Sequence, residues 1–274
     1  MFNAVALSAD CLITLGSVEP HYFAGFTGGR KSIMPGIASY TTVMLNHRLA
    51  MHEASAPMNL EGNPVNEDIL ELVDFFDETR IFSFQVVQDK TGQICYAATG
   101  NIHTSMEAAV SVAREIYGIR IPRREDIVVT VAPYPMDIDM YQSQKALEHG
   151  RIALNPRGTI ILVSECRDGI GPMNFFKLIT RYKTPFDEIN DLWGDYKLGY
   201  HKTQKIIELC RYADIYAVTD LKPELVRKMF MTPFDTLDDA LNHAFSYSSP
   251  DSKVIFLMEG SIAVPIIDGN KTNR

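Results

Sequence analysis

The stretch Ile127-Val-Val-Thr-Val-Ala132 (IVVTVA) decides how the rest of the chain is read. Five of its six residues are β-branched, and the run is continuously apolar instead of alternating. That is the pattern of a strand buried on both faces, as in a parallel sheet. Helical periodicity follows over residues 140–149, then a second buried strand over 159–163. Helical segments over 172–180 and 198–212 lead to a third strand at 214–218. Two short helices and a fourth strand at 254–257 complete the series. Strands alternating with helices predict an α/β fold with a mainly parallel, helix-covered sheet of Rossmann-like type.

Just before this run, Gly118-Ile-Arg-Ile-Pro-Arg-Arg-Glu-Asp126 is charged and contains a proline. It is the expected linker between two domains. The division is 1–120 for an N-terminal α/β domain, with 250–274 as a candidate return to it, and 121–249 for the Rossmann-like domain. In the first domain a short strand is expected at 11–15 and a helix at 38–51, with Val43, Leu45 and Leu49 apolar. Asn63 and Pro64 read as the N-cap and first position of a second helix. Residues 81–88 and 93–98 read as a hairpin joined by Asp89-Lys-Thr-Gly92, and a helix follows at 105–116. This domain starts almost at once on a strand, without β-α units ahead of it, and therefore reads as incomplete.

With 274 residues, 46% hydrophobic and 22% charged, the chain can bury a large core. A formal net charge of −8 argues against non-specific binding to nucleic acid or anionic membrane. No apolar run approaches the roughly 18 to 20 residues that span a bilayer, and the first ten residues lack the features of a signal peptide. Cys11, Cys95, Cys166 and Cys210 form no C-x-x-C. They read as buried free thiols in a reducing cytoplasm, which is the expected compartment.

His21-Tyr-Phe-Ala-Gly-Phe-Thr-Gly-Gly-Arg-Lys-Ser32 (HYFAGFTGGRKS) looks like a phosphate loop with one wrong residue. Arg30 stands where the second glycine of G-x-x-x-x-G-K-[ST] belongs. The preceding strand is expected to end near Leu15, too early, and Pro35 stops any long helix starting at Lys31. A nucleotide triphosphatase loop is therefore rejected. What remains is a Thr27-Gly28-Gly29 turn able to offer backbone donors to an anion. Lys31 follows, beside the apolar Ile33-Met34-Pro35. A lysine so shielded is a candidate nucleophile, and His21 and His47 are a candidate base and a candidate metal ligand. The competing reading is a solvated lysine and two ordinary half-buried histidines. His201, in Leu198-Gly-Tyr-His-Lys202, is a weaker candidate, with a surface or capping role preferred. His52, His103, His149 and His243 are assigned no function.

Residues 16–36 (GSVEPHYFAGFTGGRKSIMPG) resemble the signature of the nickel-pincer-dependent lactate racemases and related 2-hydroxyacid racemases and epimerases. The resemblance continues through Asn46-His47, Gly62-Asn-Pro64 and Met140-Tyr-Gln-Ser-Gln-Lys-Ala146. It implies an isomerase acting on small 2-hydroxyacids by reversible hydride transfer, with a nickel-pincer nucleotide, a pyridinium-3-thioamide-5-thiocarboxylic acid mononucleotide carrying nickel. The resemblance makes Lys31 the covalent attachment point and His47 the protein's nickel ligand. That histidine would complete a square-planar set with the cofactor's carbon and sulfur donors. His21 becomes one of two acid/base histidines. Tyr141, Gln142 and Lys145 line the site and hold a carboxylate, with Gln142 and Lys145 on one helix face. Thr27, Gly28 and Gly29 belong to the cofactor-binding loop.

The chain departs from the family in lacking, where expected, an Asp-x-Thr-Arg-Pro motif and the second catalytic histidine. Asp77-Glu-Thr-Arg80 lies downstream of Lys31, is followed by Ile81, and reads as coincidence. The resemblance thus implies the later two-thirds of a longer enzyme, inactive alone, with an N-terminal half-domain as partner in cis or trans. Two alternatives stay open: a non-catalytic module that binds or carries the nickel-pincer nucleotide, and a nucleotide-binding protein of another kind.

Overall fold

The computed structural model describes residues 1–188 and 196–268. It divides into two compact units, 1–118 and 119–274.

In the first unit a short α1 (Ala4–Ser8) precedes β1 (Leu12–Ser17). Two small strands, β2 (Pro20–His21) and β3 (Gly25–Phe26), pair antiparallel with His21 opposite Gly25. A single helical turn, α2 (Arg30–Ile33), leads to α3 (Tyr40–Arg48) and α4 (Pro64–Asp74). Asn63 caps α4 as expected, its side chain accepting from the backbone N–H groups of Val65 and Asn66. The hairpin is β4 (Ile81–Gln88) and β5 (Ile94–Gly100), closed by Asp89, whose carboxylate accepts from the N–H groups of Thr91 and Gln93. Then α5 (Ile102–Tyr117) begins three residues earlier than expected, because Asn101 rather than a later residue supplies the cap.

The sheet order is β1-β4-β5, with β1 parallel to β4. Along β4 burial alternates: Ile81, Ser83, Gln85 and Val87 are inside, Phe82 and Phe84 outside. The inner face meets α5, which presents Met106, Ala109 and Ala113 as part of its buried stripe. A second cluster of Tyr22, Phe23, Ile33, Met34, Val65, Ile69 and Ile102 fastens the signature loop to α4 and α5.

The second unit opens with β6 (Gly118–Ile121) and β7 (Glu125–Val131), followed by α6 (Met140–Ile152) and β8 (Leu154–Val163). Next come α7 (Met173–Ile179), α8 (Tyr200–Tyr212) and β9 (Asp214–Val218). The last elements are α9 (Pro223–Lys228), β10 (Thr232–Phe234), α10 (Leu237–Ser246), β11 (Val254–Leu257) and β12 (Val264–Ile267). The five-stranded sheet runs β10-β9-β8-β7-β11 and is parallel throughout. Ile127, Val129 and Ile161 face α10, while Val128, Ile160 and Leu162 face the larger core of α6 and α8. Helices on both faces explain why IVVTVA is apolar without alternation.

Three expectations need correction. The stretch 118–126 is no open linker, since β6 within it pairs with β12. Residues 250–268 do not return to the first unit, since β11 adds to the second sheet beside β7; residues 269–274 lie outside the described residues. The cysteines are free, but only Cys166 is buried, Cys210 is intermediate, and Cys11 and Cys95 are exposed.

Candidate functional site

In the first unit the signature loop is built around two buried side chains. Arg30, the residue that spoils the phosphate-loop pattern, lies inside the unit. Its Nε donates to Asn66 Oδ1 at 2.8 Å, and its Nη2 donates to the carbonyls of Ala24 and Phe26, each at 3.0 Å. Nη1 reaches the carbonyl of Thr27 at 3.3 Å. Burial brings its pKa down to about 10, so the guanidinium is still charged at neutral pH. It gathers three carbonyls of the loop, those of Ala24, Phe26 and Thr27, a task for which a planar fork of donors suits and an ammonium does not.

The second buried side chain is Phe23. His21 lies edge-on to its ring at 4.5 Å between centroids, and His47 at 5.1 Å. The Nζ of Lys31 stands 5.7 Å from the same ring centroid. His21, His47 and Lys31, with expected catalytic, metal-binding and cofactor-attachment roles, thus all lie against one aromatic ring. Three different elements deliver them: β2 carries His21, α2 carries Lys31, and the last turn of α3 carries His47. The Nδ1 of His21 accepts the N–H of Ala24 at 3.2 Å. In the neutral ring the proton therefore sits on Nε2, which is a hydrogen-bond donor in this tautomer.

The Thr27-Gly28-Gly29 turn is not the open anion nest that was expected. Thr27 Oγ1 donates to the carbonyl of Ser17 at 2.7 Å and accepts from the N–H of Glu19 at 2.8 Å, tying the loop to the end of β1. The Gly29 N–H donates to Gln85 Oε1 at 2.8 Å, so it is engaged within the protein. A Cβ at Gly29 would stand 2.5 Å from Ser83 Oγ, and one at Gly28 2.5 Å from Met106 Sδ. Glycine is required here because the loop lies directly against β4 and α5. Asp77-Glu-Thr-Arg80 is a turn into β4, with Asp77 accepting from Thr79.

In the second unit Asp139 caps α6, its carboxylate accepting the N–H of Gln142 at 2.7 Å. Tyr141, Gln142 and Lys145 occupy the first turns of that helix and are all half-buried. Lys202, fully buried on α8, donates from Nζ to the carbonyl of Tyr141 at 2.5 Å and lies 4.2 Å from the centroid of the Tyr141 ring. Burial, then the nearby Lys145 charge, holds its pKa well below the ordinary lysine value. His201 is buried, not on the surface, and its Nδ1 lies 2.7 Å from the hydroxyl of Tyr196.

The other histidines have structural partners. Among these contacts, His103 meets Asp74 at 3.1 Å, His243 meets the Tyr216 hydroxyl at 3.0 Å, and His52 accepts from Ala54. His149 is buried and donates from Nδ1 to the carbonyl of Gly260 at 2.9 Å. Sequence reasoning missed Phe23, Arg30 and Lys202 as organising residues. Asp139 was also missed, although an aspartate directly before a helical run is a cap signal, whereas the burial of a lysine leaves no mark in sequence.

Among the described residues no group of three or more His, Cys, Asp or Glu is placed to hold a metal ion. A metal whose other donors come from an organic ligand asks for less of the protein, and His47, packed on the same Phe23 ring that Lys31 approaches, offers one imidazole. No helix among the described residues is long and apolar enough to cross a membrane.

Comparison with known proteins agrees with both units. The profile of the lactate racemase N-terminal domain matches residues 1–59, and that of the lactate racemase C-terminal domain matches residues 122–266. The lactate racemase of Thermoanaerobacterium thermosaccharolyticum is 32% identical over 265 residues, which are 94% of this chain and 62% of that protein. The lactate racemase of Lactiplantibacillus plantarum is 28% identical over 267 residues, 95% of this chain and again 62% of the relative. The solved apoprotein of the Thermoanaerobacterium enzyme superposes with a TM-score of 0.90 at 31% identity, covering 97% of this chain and 65% of that one. A Thermotoga maritima protein at 16% identity shares the fold, with a TM-score of 0.73 over 97% of this chain and 69% of its own. The chain spans about 62% of the length of the curated relatives it matches. With its second profile match covering more than half of its residues, the chain belongs to the lactate racemase family.

Proposed function

We propose that this chain forms the cofactor-holding part of a lactate racemase-like 2-hydroxyacid racemase or epimerase. The observation that carries the reading is the gathering of His21, Lys31 and His47 around the Phe23 ring. In this reading Lys31 attaches a nickel-pincer nucleotide, and His47 gives the metal its one protein nitrogen. When bound, that group supplies a reversible acceptor for the hydride of substrate C2.

The chain's own residues do the rest. His21 is the acid/base group for the substrate's 2-hydroxyl. With Nδ1 accepting the Ala24 N–H its neutral ring donates from Nε2, and it takes up the hydroxyl proton at Nε2 once that contact is released and the ring proton moves to Nδ1. Phe23 keeps water from one side of the three groups and gives the imidazoles a fixed edge-on contact. Arg30 sets the turn that aims Lys31. The second unit offers Gln142 and Lys145 as donors for a carboxylate, on a helix whose first turn is fixed by Asp139 and Lys202.

The attachment is tested by intact mass spectrometry of the chain produced with the cofactor's biosynthetic enzymes. An adduct containing nickel and sulfur is expected on the native chain and absent from Lys31→Ala. An adduct retained in the variant refutes Lys31 as the attachment point.

A further inference from the structure

A cavity of about 350 Å³ opens between α4 and α5 of the first unit. Small-molecule sites range from roughly 300 to 1,000 Å³, so it is large enough for a compact ligand. Its walls are apolar, with Leu60 and Leu70 on the α4 side and Ile102, Met106 and Val110 on α5. Buried Arg30 and Asn66 close the bottom, bonded to each other at 2.8 Å, and the remaining guanidinium bonds go to the loop carbonyls. Asp74, the last residue of α4, meets His103 in the first turn of α5 at 3.1 Å and ties the two helices together. The cavity is separate from the Phe23 cluster, since none of His21, Phe23, Lys31 and His47 lines it.

The mouth has the opposite character. Glu61 precedes α4, Glu67 stands on its first turn and Glu107 on the second turn of α5, and all three line the cavity and are exposed. Among the described residues none of the three forms an ion pair. His103 is turned to Asp74 and Arg30 is committed inward, so no side chain of the wall offsets these carboxylates. An apolar cavity with an anionic mouth selects by charge: it repels a carboxylate or phosphate and draws in an ammonium on an apolar body. The Met106 thioether favours an aromatic ring over an alkyl chain, because sulfur contacts a ring favourably. From these observations we infer that the cavity binds a small aromatic ammonium. Its ring lies against Ile102, Met106 and Val110, and its cation sits at the mouth among Glu61, Glu67 and Glu107. The site is independent of the racemase reading, whose 2-hydroxyacid substrates are anions that this mouth turns away. It lies one side chain from the signature loop, since a Cβ on Gly28 would meet Met106 Sδ at 2.5 Å.

The test uses the 274-residue chain with carbon-labelled methionine methyl groups, read by NMR, and tryptamine as the probe. The Met106 signal is assigned with Met106→Leu. Tryptamine is expected to shift that signal saturably. Exposed ion pairs are individually weak, and three together favour tryptamine over the neutral tryptophol by about tenfold in affinity. Indolepropionate should bind more weakly still, and added salt should weaken tryptamine but not tryptophol. Glu61→Gln with Glu107→Gln changes two exposed side chains and leaves the fold intact. It should cut tryptamine affinity by about fivefold and leave tryptophol unchanged. Leu70→Trp places a larger side chain on the wall and should abolish binding of both, with circular dichroism showing a folded chain. Should that variant not fold, the glutamine pair decides. A Met106 signal that tryptamine does not move overturns the inference, and so does equal affinity for tryptamine and tryptophol. An isolated chain that is a dimer with this cavity covered makes a second copy the occupant and also overturns it. None of these readouts needs cofactor or activity, so a failed Lys31 adduct and a failed cation site are separately visible.

Discussion

At the scale of single residues, Arg30 changes meaning most between sequence and structure. As a letter it breaks a phosphate-loop pattern; in the fold it is the fork that gathers the carbonyls of Ala24, Phe26 and Thr27. Arg30→Met should leave those oxygens and Asn66 Oδ1 without their donor. A loss of about 3 kcal/mol in urea unfolding of the first unit's transition is expected. Arg30→Lys should recover less than half of it, because one ammonium cannot reach all four acceptors. A variant as stable as the native chain would show that the loop does not depend on the guanidinium. Gly29 was legible as a turn residue, but not the reason for it, which is the approach of Ser83 and Gln85 from a strand more than fifty residues later.

At the scale of elements, α6 carries three of the residues singled out by the signature at its start and packs into the core of the second unit. Its first two turns carry Tyr141, Gln142 and Lys145, and its last turns carry buried His149. Burial, opposed by the hydrogen bond to Gly260 and assisted by the Lys145 charge, lowers the His149 pKa from 6.5 to about 4. Above pH 6.5 the ring is neutral in folded and unfolded chains alike, and its contribution to stability is fully present. As pH falls from 6.5 toward 4 the unfolded chain takes up a proton that the folded one refuses, and stability drops by about 3 kcal/mol. Urea midpoints of the native chain and of His149→Asn, compared between pH 7 and 4.5, should diverge by most of that amount. Parallel profiles would mean that the buried ring titrates normally. At the other end of the helix, Asp139→Ala should cost about 1 kcal/mol through the lost cap. Thermal melts of that variant read the cost directly.

At the scale of the whole molecule, the two units differ in how completely they are covered. The second has helices on both faces of its sheet, whereas the first leaves Ile13, Leu15, Phe82 and Phe84 in solvent. With the chain spanning about 62% of its relatives, the isolated cofactor-loaded chain is expected to racemise no lactate. Chiral chromatography after prolonged incubation checks this. Formation of the opposite enantiomer above a cofactor-free control would show that these residues suffice for turnover.

Periodicity alone determined most of the elements. The alternation of β4, the unbroken apolar runs of β7 and β8, and the Asn63-Pro64 start of α4 are local patterns, set by which faces are buried and which backbone groups need a cap. The signature stretch and its continuation at Asn46-His47 likewise marked His21, Lys31 and His47. Sequence could not say that β6 pairs with β12, or that β11 stays in the second sheet, because strand order depends on contacts far apart in the chain. Nor could it say that one phenylalanine gathers the three marked residues, or that Arg30, Lys202 and His149 are buried. Burial of a charged or titratable group is decided by what packs around it, and only the tertiary structure brings those neighbours together.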